Sequence, residues 1–208
     1  MNDRRRPSSI AARIAGRLTA LVLGAAVNCG LAADVAPVQA ESPIPACLDP
    51  AAGGESLVAF CRGHTNYLLG HHEEAIADLS RAIELDPSLA DAFRFRAYAE
   101  YRSQRYLSAV RDCGEYARLR PDESEGYYCR GIMLSRAGDH DAAIADYERA
   151  IERARTAEEA GNAWYGVGVC HERAGRTAQA IAAFRRTLEV YPQQAQAQSA
   201  LARLTRTK

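Results

Sequence analysis

The sequence predicts an all-α solenoid of four stacked helical hairpins closed by a C-terminal capping helix. Three observations carry this. Ala75, Ala109, Ala143 and Ala180 recur at spacings of 34, 34 and 37 residues. The same register holds small residues at Gly63, Ala97, Gly131 and Gly168, and β-branched residues at Ile76, Val110, Ile144 and Ile181. Prolines close three of the four units, at Pro87, Pro121 and Pro192. A period in this range marks a row of supersecondary units, each of which can bury its apolar stripe only against a neighbour.

Residues 1–40 read as a secretory signal peptide. Arg4, Arg5, Arg6 and Arg17 precede the apolar run 18–27, and small residues follow. That run is shorter than the ~20 residues needed to span a bilayer. Cleavage after Ala32, Ala33 or Ala40 fits the pattern; an uncleaved anchor in the inner membrane is the alternative. Residues 34–55 contain four prolines and two glycines. The stretch 41–55 is therefore expected to be a linker.

The repeat units follow at 56–89, 90–123, 124–157 and 161–194. In unit 1 a first helix over 56–68 is expected, then a break at Gly70 and a second helix over 72–85. Ala75, Ile76, Leu79, Ala82 and Ile83 of that second helix share one face, as a buried stripe requires. Asp86-Pro87 ends it, because proline disfavours helical geometry in the residue before it. The second helix of unit 2 opens at Tyr106. Unit 3 turns at Gly138-Asp139 and unit 4 at Gly175. The three extra residues between units 3 and 4 lie in a stretch without proline and are expected to lengthen a helix. Residues 195–205 place Ala197, Leu201 and Leu204 on one side and polar residues elsewhere, which suits the capping helix.

These units resemble the tetratricopeptide repeat family, over about 56–192. Unit 4 carries Trp164, Gly168, Ala180, Phe184 and Pro192 at the family's marked positions. Unit 1 matches at Gly63, Ala75, Ala82 and Pro87. Unit 3 matches at Tyr127, Gly131, Ala143, Tyr147 and Ala150, with Arg155 where proline is usual. Unit 2 departs most, with Tyr116 in place of a small alanine and a compensating Ala117 beside it. The resemblance implies a right-handed superhelix whose first helices line a concave face that binds a peptide or protein.

Matching registers place candidate groove residues on that face: Phe60, His64 and Tyr67 from unit 1; Arg94, Tyr98, Tyr101 and Arg102 from unit 2; Tyr128 and Arg136 from unit 3; Tyr165 and Arg173 from unit 4. Tyrosine and arginine are the residue types enriched where proteins bind one another. Arg102, Arg136 and Arg173 share one register and form a basic ladder. Phe60 and His64 stand where chaperone-binding relatives carry the lysine and asparagine of a carboxylate clamp, so a dicarboxylate tail of that kind is not expected. The same aromatics would also suit packing between helices.

A pairing is visible inside the chain. Arg62, Arg96 and Arg130 occupy one register of the first helices, and Asp78, Asp112 and Asp146 follow each by sixteen residues. Unit 4 has Val167 and Ala183 instead. Both charges are present three times and absent together once, which predicts structural ion pairs within hairpins. Among the cysteines, Cys29 leaves with the signal. Cys47–Cys61 and Cys113–Cys129 are candidate disulfides in an oxidising compartment, and Cys170 is left over. The alternative is that several cysteines are small buried thiols.

No constellation for catalysis or metal binding is expected. His71-His72 diverge at a turn, and Cys170-His171 point apart on a helix by about 100°. Gly166-Val167-Gly168 lies within a helix and lacks the preceding strand of a nucleotide loop. Acidic and basic side chains balance at 26 each, and with five arginines in residues 1–40 the remainder is mildly acidic. Such a body has no electrostatic attraction to nucleic acid or to an anionic membrane. The sequence therefore reads as an exported, non-enzymatic scaffold or adaptor of the bacterial cell envelope, periplasmic or secreted. It needs no cofactor or metal, and no membrane insertion of the mature chain is expected. Its partner would be an unidentified protein or peptide. A non-catalytic regulatory subunit of a cell-envelope enzyme is the alternative, and a homo-oligomer is left open.

Overall fold

The computed structural model describes residues 54–206. The expected signal segment, Cys47 and nearly all of the linker lie outside the described residues. Within them are α1 (Gly54–Leu68), α2 (His72–Leu85), α3 (Ala90–Arg102), α4 (Tyr106–Leu119), α5 (Ser124–Ala137), α6 (His140–Arg153), α7 (Ala157–Arg173), α8 (Thr177–Val190) and α9 (Ala195–Arg206). No strand occurs among the described residues. Consecutive helices pack against one another along the whole row, giving hairpins α1–α2, α3–α4, α5–α6 and α7–α8, with α9 closing on α8.

Local chemistry sets the boundaries. Gly70, Gly138 and Gly175 take positive φ at three hairpin turns, a conformation open to glycine at little cost. Gln104 fills the same position in the second turn with φ 61°. After α2 the Asp86 carboxylate accepts from the backbone N–H and hydroxyl of Ser88, at 2.9 and 2.6 Å. Thr156 caps α7 by accepting from the Glu159 N–H at 3.1 Å, and the Glu159 side chain accepts from the Arg155 N–H at 3.0 Å. This reciprocal cap starts α7 early, and the helix absorbs the three extra residues over its 17-residue length. α1 begins at Gly54, two residues into the span expected as linker. Glu55 in its first turn suits the positive end of the helix dipole. α9 runs one residue past its expected end.

One buried side chain anchors each hairpin: Leu79, Cys113, Tyr147 and Phe184 share a register on the second helices. Leu79, Tyr147 and Phe184 each face a glycine on their own first helix. A Cβ on Gly168 would lie 2.5 Å from the Phe184 ring. Tyr147 is confined from both sides, because a Cβ on Gly131 would lie 2.9 Å from its ring and one on Gly166 2.6 Å. In hairpin 2 the anchor is only a cysteine, and it is covalently bonded to the next hairpin. Tyr116, in place of the usual alanine, packs with Ala90, Phe93, Ile83 and Leu119 and donates its hydroxyl proton to Glu123 at 2.8 Å. Ala117 beside it leaves room for Gly126, where a Cβ would come 2.7 Å from the Ala117 Cα. At the far end, Ala197 and Ala200 of α9 join Ala180 and Phe184 in one buried cluster, flanked by Leu201 and Leu204.

Candidate functional site

Successive first helices touch one another: α1 meets α3, α3 meets α5, and α5 meets α7. No comparable contact links the second helices among the described residues. The first helices therefore form the inner layer, and their outward faces make one continuous strip.

The expected groove residues divide into two groups on that strip. Phe60, His64 and Tyr98 are buried. They pack around Phe95, with ring centroids 6.0, 4.4 and 6.4 Å from it, and Phe60 stacks on His64 at 6.2 Å. Tyr67 completes the cluster, 5.9 Å from Phe95 and 6.3 Å from Tyr98. Arg94 lies over Phe95 at 4.5 Å and donates to Asp91 at 2.9 Å. The Tyr98 hydroxyl donates to Glu125 of α5, and burial pushes its pKa up. Phe60, His64 and Tyr98 thus join the first two hairpins rather than face a ligand. Phe95, at the centre, was missed by register reasoning because the equivalent positions hold Cys61, Cys129 and Gly166.

The second group remains accessible, wholly or in part, further along the row. Tyr101, Tyr128 and Tyr165 are half-buried, and Arg102 and Arg173 are exposed. Arg136 stacks over Tyr101 at 5.8 Å, and Tyr101 contacts Tyr106 at 5.8 Å. Tyr128 rests on Tyr147 and Tyr165 on Phe184, at 5.8 and 5.6 Å. Burial also pushes the Tyr128 hydroxyl well above its ordinary pKa. Arg173 donates to Ser135 of the preceding hairpin at 3.4 Å. Glu172, beside it, is held by Arg203 of α9 at 2.9 Å, which leaves the basic register less offset by acid.

All three Arg–Asp pairs lie within hairpins. Arg96 grips Asp112 through Nε and Nη2 at 2.6 and 2.8 Å, and Arg130 grips Asp146 at 2.6 and 2.7 Å. Arg62 Nε donates to Asp78 at 2.7 Å, from a largely exposed side chain. Arg96 also donates to Ser80 of the preceding hairpin at 3.0 Å. In hairpin 4 the corresponding Val167 and Ala183 are buried. Asn66 supports Asp78 with a 2.9 Å hydrogen bond. The residue at that register in hairpin 2 is Glu100, whose pKa is raised to about 7 by burial and by the like charge of Asp112.

Cys113 and Cys129 form a disulfide, with Cα atoms 5.7 Å apart. Cys61 is disulfide-bonded as well, and Cys47, the partner expected for it, lies outside the described residues. Cys170 is a free, buried thiol. No cluster of three or more metal-ligating side chains occurs among the described residues. No described helix is long and apolar enough to cross a membrane.

An open row of antiparallel helical hairpins with a continuous inner strip defines a helical-repeat solenoid, a class built to present surface to other proteins. Residues 122–193 match the family model described as Tetratricopeptide repeat, and residues 63–104 match a second, described as TPR repeat. The chain belongs to the tetratricopeptide repeat family, whose members serve as protein-interaction scaffolds. MamA 41-end from Desulfovibrio magneticus RS-1 is similar in fold, at 18% identity and a TM-score of 0.64, covering 73% of this chain and 84% of that one. So is TTC0263, a thermophilic TPR protein of Thermus thermophilus, at 16% identity and a TM-score of 0.61, covering 76% and 84%. The first TPR domain of Spaghetti (RPAP3), bound to the HSP90 peptide SRMEEVD, matches at 24% identity and a TM-score of 0.51, covering 59% of this chain and 93% of that one. No curated protein matches the chain in sequence.

Proposed function

We propose that the inner strip of α3, α5 and α7 binds an extended segment of a partner protein, and that the chain acts as a scaffold or adaptor in the bacterial cell envelope. The observation that carries this is the inner layer itself: accessible Tyr101, Tyr128 and Tyr165 alternate with Arg102, Arg136 and Arg173 on adjoining first helices. Aromatic faces supply contact area at low entropic cost, and guanidinium groups donate paired hydrogen bonds to carboxylates in a fixed geometry. The similar RPAP3 domain holds an acidic peptide; with Phe60 and His64 at the clamp positions here, this chain would take acidic groups through Arg102, Arg136 and Arg173 instead, not a tail of that kind. Recognition makes and breaks no bond, so the chain itself performs no catalysis. The basic-then-apolar N-terminus and the Cys113–Cys129 disulfide support export to an oxidising compartment. If the partner proves to be an envelope enzyme, the chain is its non-catalytic subunit.

Photo-crosslinking in intact cells tests the reading. A photoreactive residue at Tyr128 or Tyr165 is expected to capture a discrete partner, and one at exposed Arg149 on α6 is not. Adducts formed only from Arg149 would defeat it. Fractionation of a C-terminally tagged chain tests the compartment, with recovery in the periplasmic or secreted fraction expected.

A further inference from the structure

The two ends of the row are finished differently. At the C-terminal end α9 covers Ala180 and Phe184. At the other end α1 packs on α2 and α3, and no described element precedes it. The side of α1 turned away from both carries Leu57, Val58, Cys61, Thr65 and Leu68, with Leu69 just beyond; none is charged. Val58, Leu68 and Leu69 are 45, 51 and 59% exposed. The Thr65 hydroxyl turns back to its own helix, donating to the Cys61 carbonyl at 2.8 Å. The result is an apolar strip along an end helix.

Further along the row the same register is covered. Val58, Cys61 and Thr65 correspond to Ala92, Phe95 and Ala99 of hairpin 2, and the last two to Cys129 and Met133 of hairpin 3. All five are fully buried, on helices that pack against the preceding hairpin. Cys129 is also bonded to that preceding hairpin, through Cys113. Cys61, at the same register, is disulfide-bonded too. Cys113 and Cys129 hold each other and Cys170 is free. Of the six cysteines, only Cys29 and Cys47 are left as partners for Cys61 within the chain.

We propose that the apolar strip of α1 is a docking surface for the chain's own residues 41–53, tied there by a Cys47–Cys61 disulfide and standing in for the hairpin that would precede unit 1. Length permits it. Cys61 lies about 10 Å along the helix from Gly54, at ~1.5 Å per residue. Residues 48–53, fully extended, span about 20 Å. The chain can thus turn back before α1 and run alongside it, and Gly54, with φ 68°, suits a sharp bend at that point. Composition permits it as well. Cys47 sits between Ile44 and Leu48, two apolar side chains that the bond would bring onto Val58 and Leu68. Pro43, Pro45 and Pro50 reduce the conformational freedom lost on docking. Cys29 is the poorer partner, because it precedes every expected cleavage point of the signal segment.

The test uses the exported chain, purified with its disulfides intact. Digestion after glutamate without reductant is expected to leave peptides 42–55 and 56–73 joined until reductant is added. Methyl NOEs are expected from Ile44 and Leu48 to Val58, Leu68 or Leu69. Ile44→Ser/Leu48→Ser keeps the bond and removes the covering side chains; it should lose those NOEs, raise the fluorescence of an apolar dye such as ANS, and leave the far-UV CD unchanged. Cys47→Ser/Cys61→Ser is the second variant and is expected to raise dye fluorescence in the same way. Three results would each overturn the proposal: the Cys61 peptide joined to the Cys29 peptide or to a second copy of the chain, no NOE between the two sets of methyls, or dye fluorescence unchanged in both variants. The inner strip takes no part in these readouts.

Discussion

Cys113 of α4 and Cys129 of α5 are bonded across the junction between hairpins 2 and 3, at the register where Tyr147 of α6 meets Gly166 of α7. A covalent link thus stands where the next junction uses a large ring against glycine. Cys113 alone is small among the four anchors, so the bond supplies what its volume does not. Closing a loop of this length is worth about 3 kcal/mol in the chain-entropy account. Cys113→Ser/Cys129→Ser is expected to lose about that much in urea denaturation of the full chain, and added reductant should then remove only what the Cys61 bond contributes. A parent protein indifferent to reductant would contradict this.

The Arg–Asp pairs differ in burial, and their worth should differ accordingly. The Asp112 and Arg96 side chains are 8% and 21% exposed, whereas Arg62 beside Asp78 is 62% exposed. Removing one partner of an enclosed pair strands the other charge, at a cost of about 3 kcal/mol. Asp112→Ala is expected to reach that cost and Asp78→Ala to fall well below it. Arg96→Leu/Asp112→Leu should recover most of the loss. Equal Tm losses for the two alanine variants would count against the burial argument.

Glu100 makes stability depend on pH. Its pKa rises from 4.5 to about 7, first through burial and then through Asp112, with Arg96, Arg111 and Arg105 opposing. The folded chain therefore holds a proton that the unfolded chain releases between about pH 4.5 and 7. Stability falls as pH rises through that window and levels off above it. Glu100→Gln is expected to remove this slope and to stabilise the protein at pH 8 by roughly 2–3 kcal/mol. Thermal melts from pH 5 to 8 measure it; a variant as pH-sensitive as the parent would show that another group titrates.

Gly166 tests the packing of the Tyr147 ring. A methyl there meets the ring at 2.6 Å, and overpacking of this kind costs roughly 1–3 kcal/mol. Gly166→Ala should lower stability by that amount, and Tyr147→Leu should offset part of it in a double-mutant cycle. Additive losses would mean that the two positions are not coupled.

The array was legible because each hairpin repeats the same volumes at the same positions. Ala75, Ala109, Ala143 and Ala180 are buried at one register of the second helices, and Gly63, Gly131 and Gly168 mark where a large anchor lies opposite. The Arg–Asp register was legible because unit 4 drops both charges together. The inner strip was less so. Register alone puts Phe60, His64 and Tyr98 on a common face with Tyr128 and Tyr165, but Phe95 draws the first three into a packed cluster. Side-chain burial there depends on what a neighbouring repeat brings, and periodicity does not encode that. The start of α1 at Gly54 was hidden by the proline- and glycine-rich composition just before it.

The last helix turns Ala197 and Ala200 inward and leaves Gln196, Gln198, Ser199 and Arg203 in water. Another hairpin arriving at that end would find amides and a guanidinium group instead of an oily ledge. That polar face discourages head-to-tail polymerisation through it. Anyone lengthening the protein by duplicating a unit should splice it upstream of Ala195, keeping the terminator last.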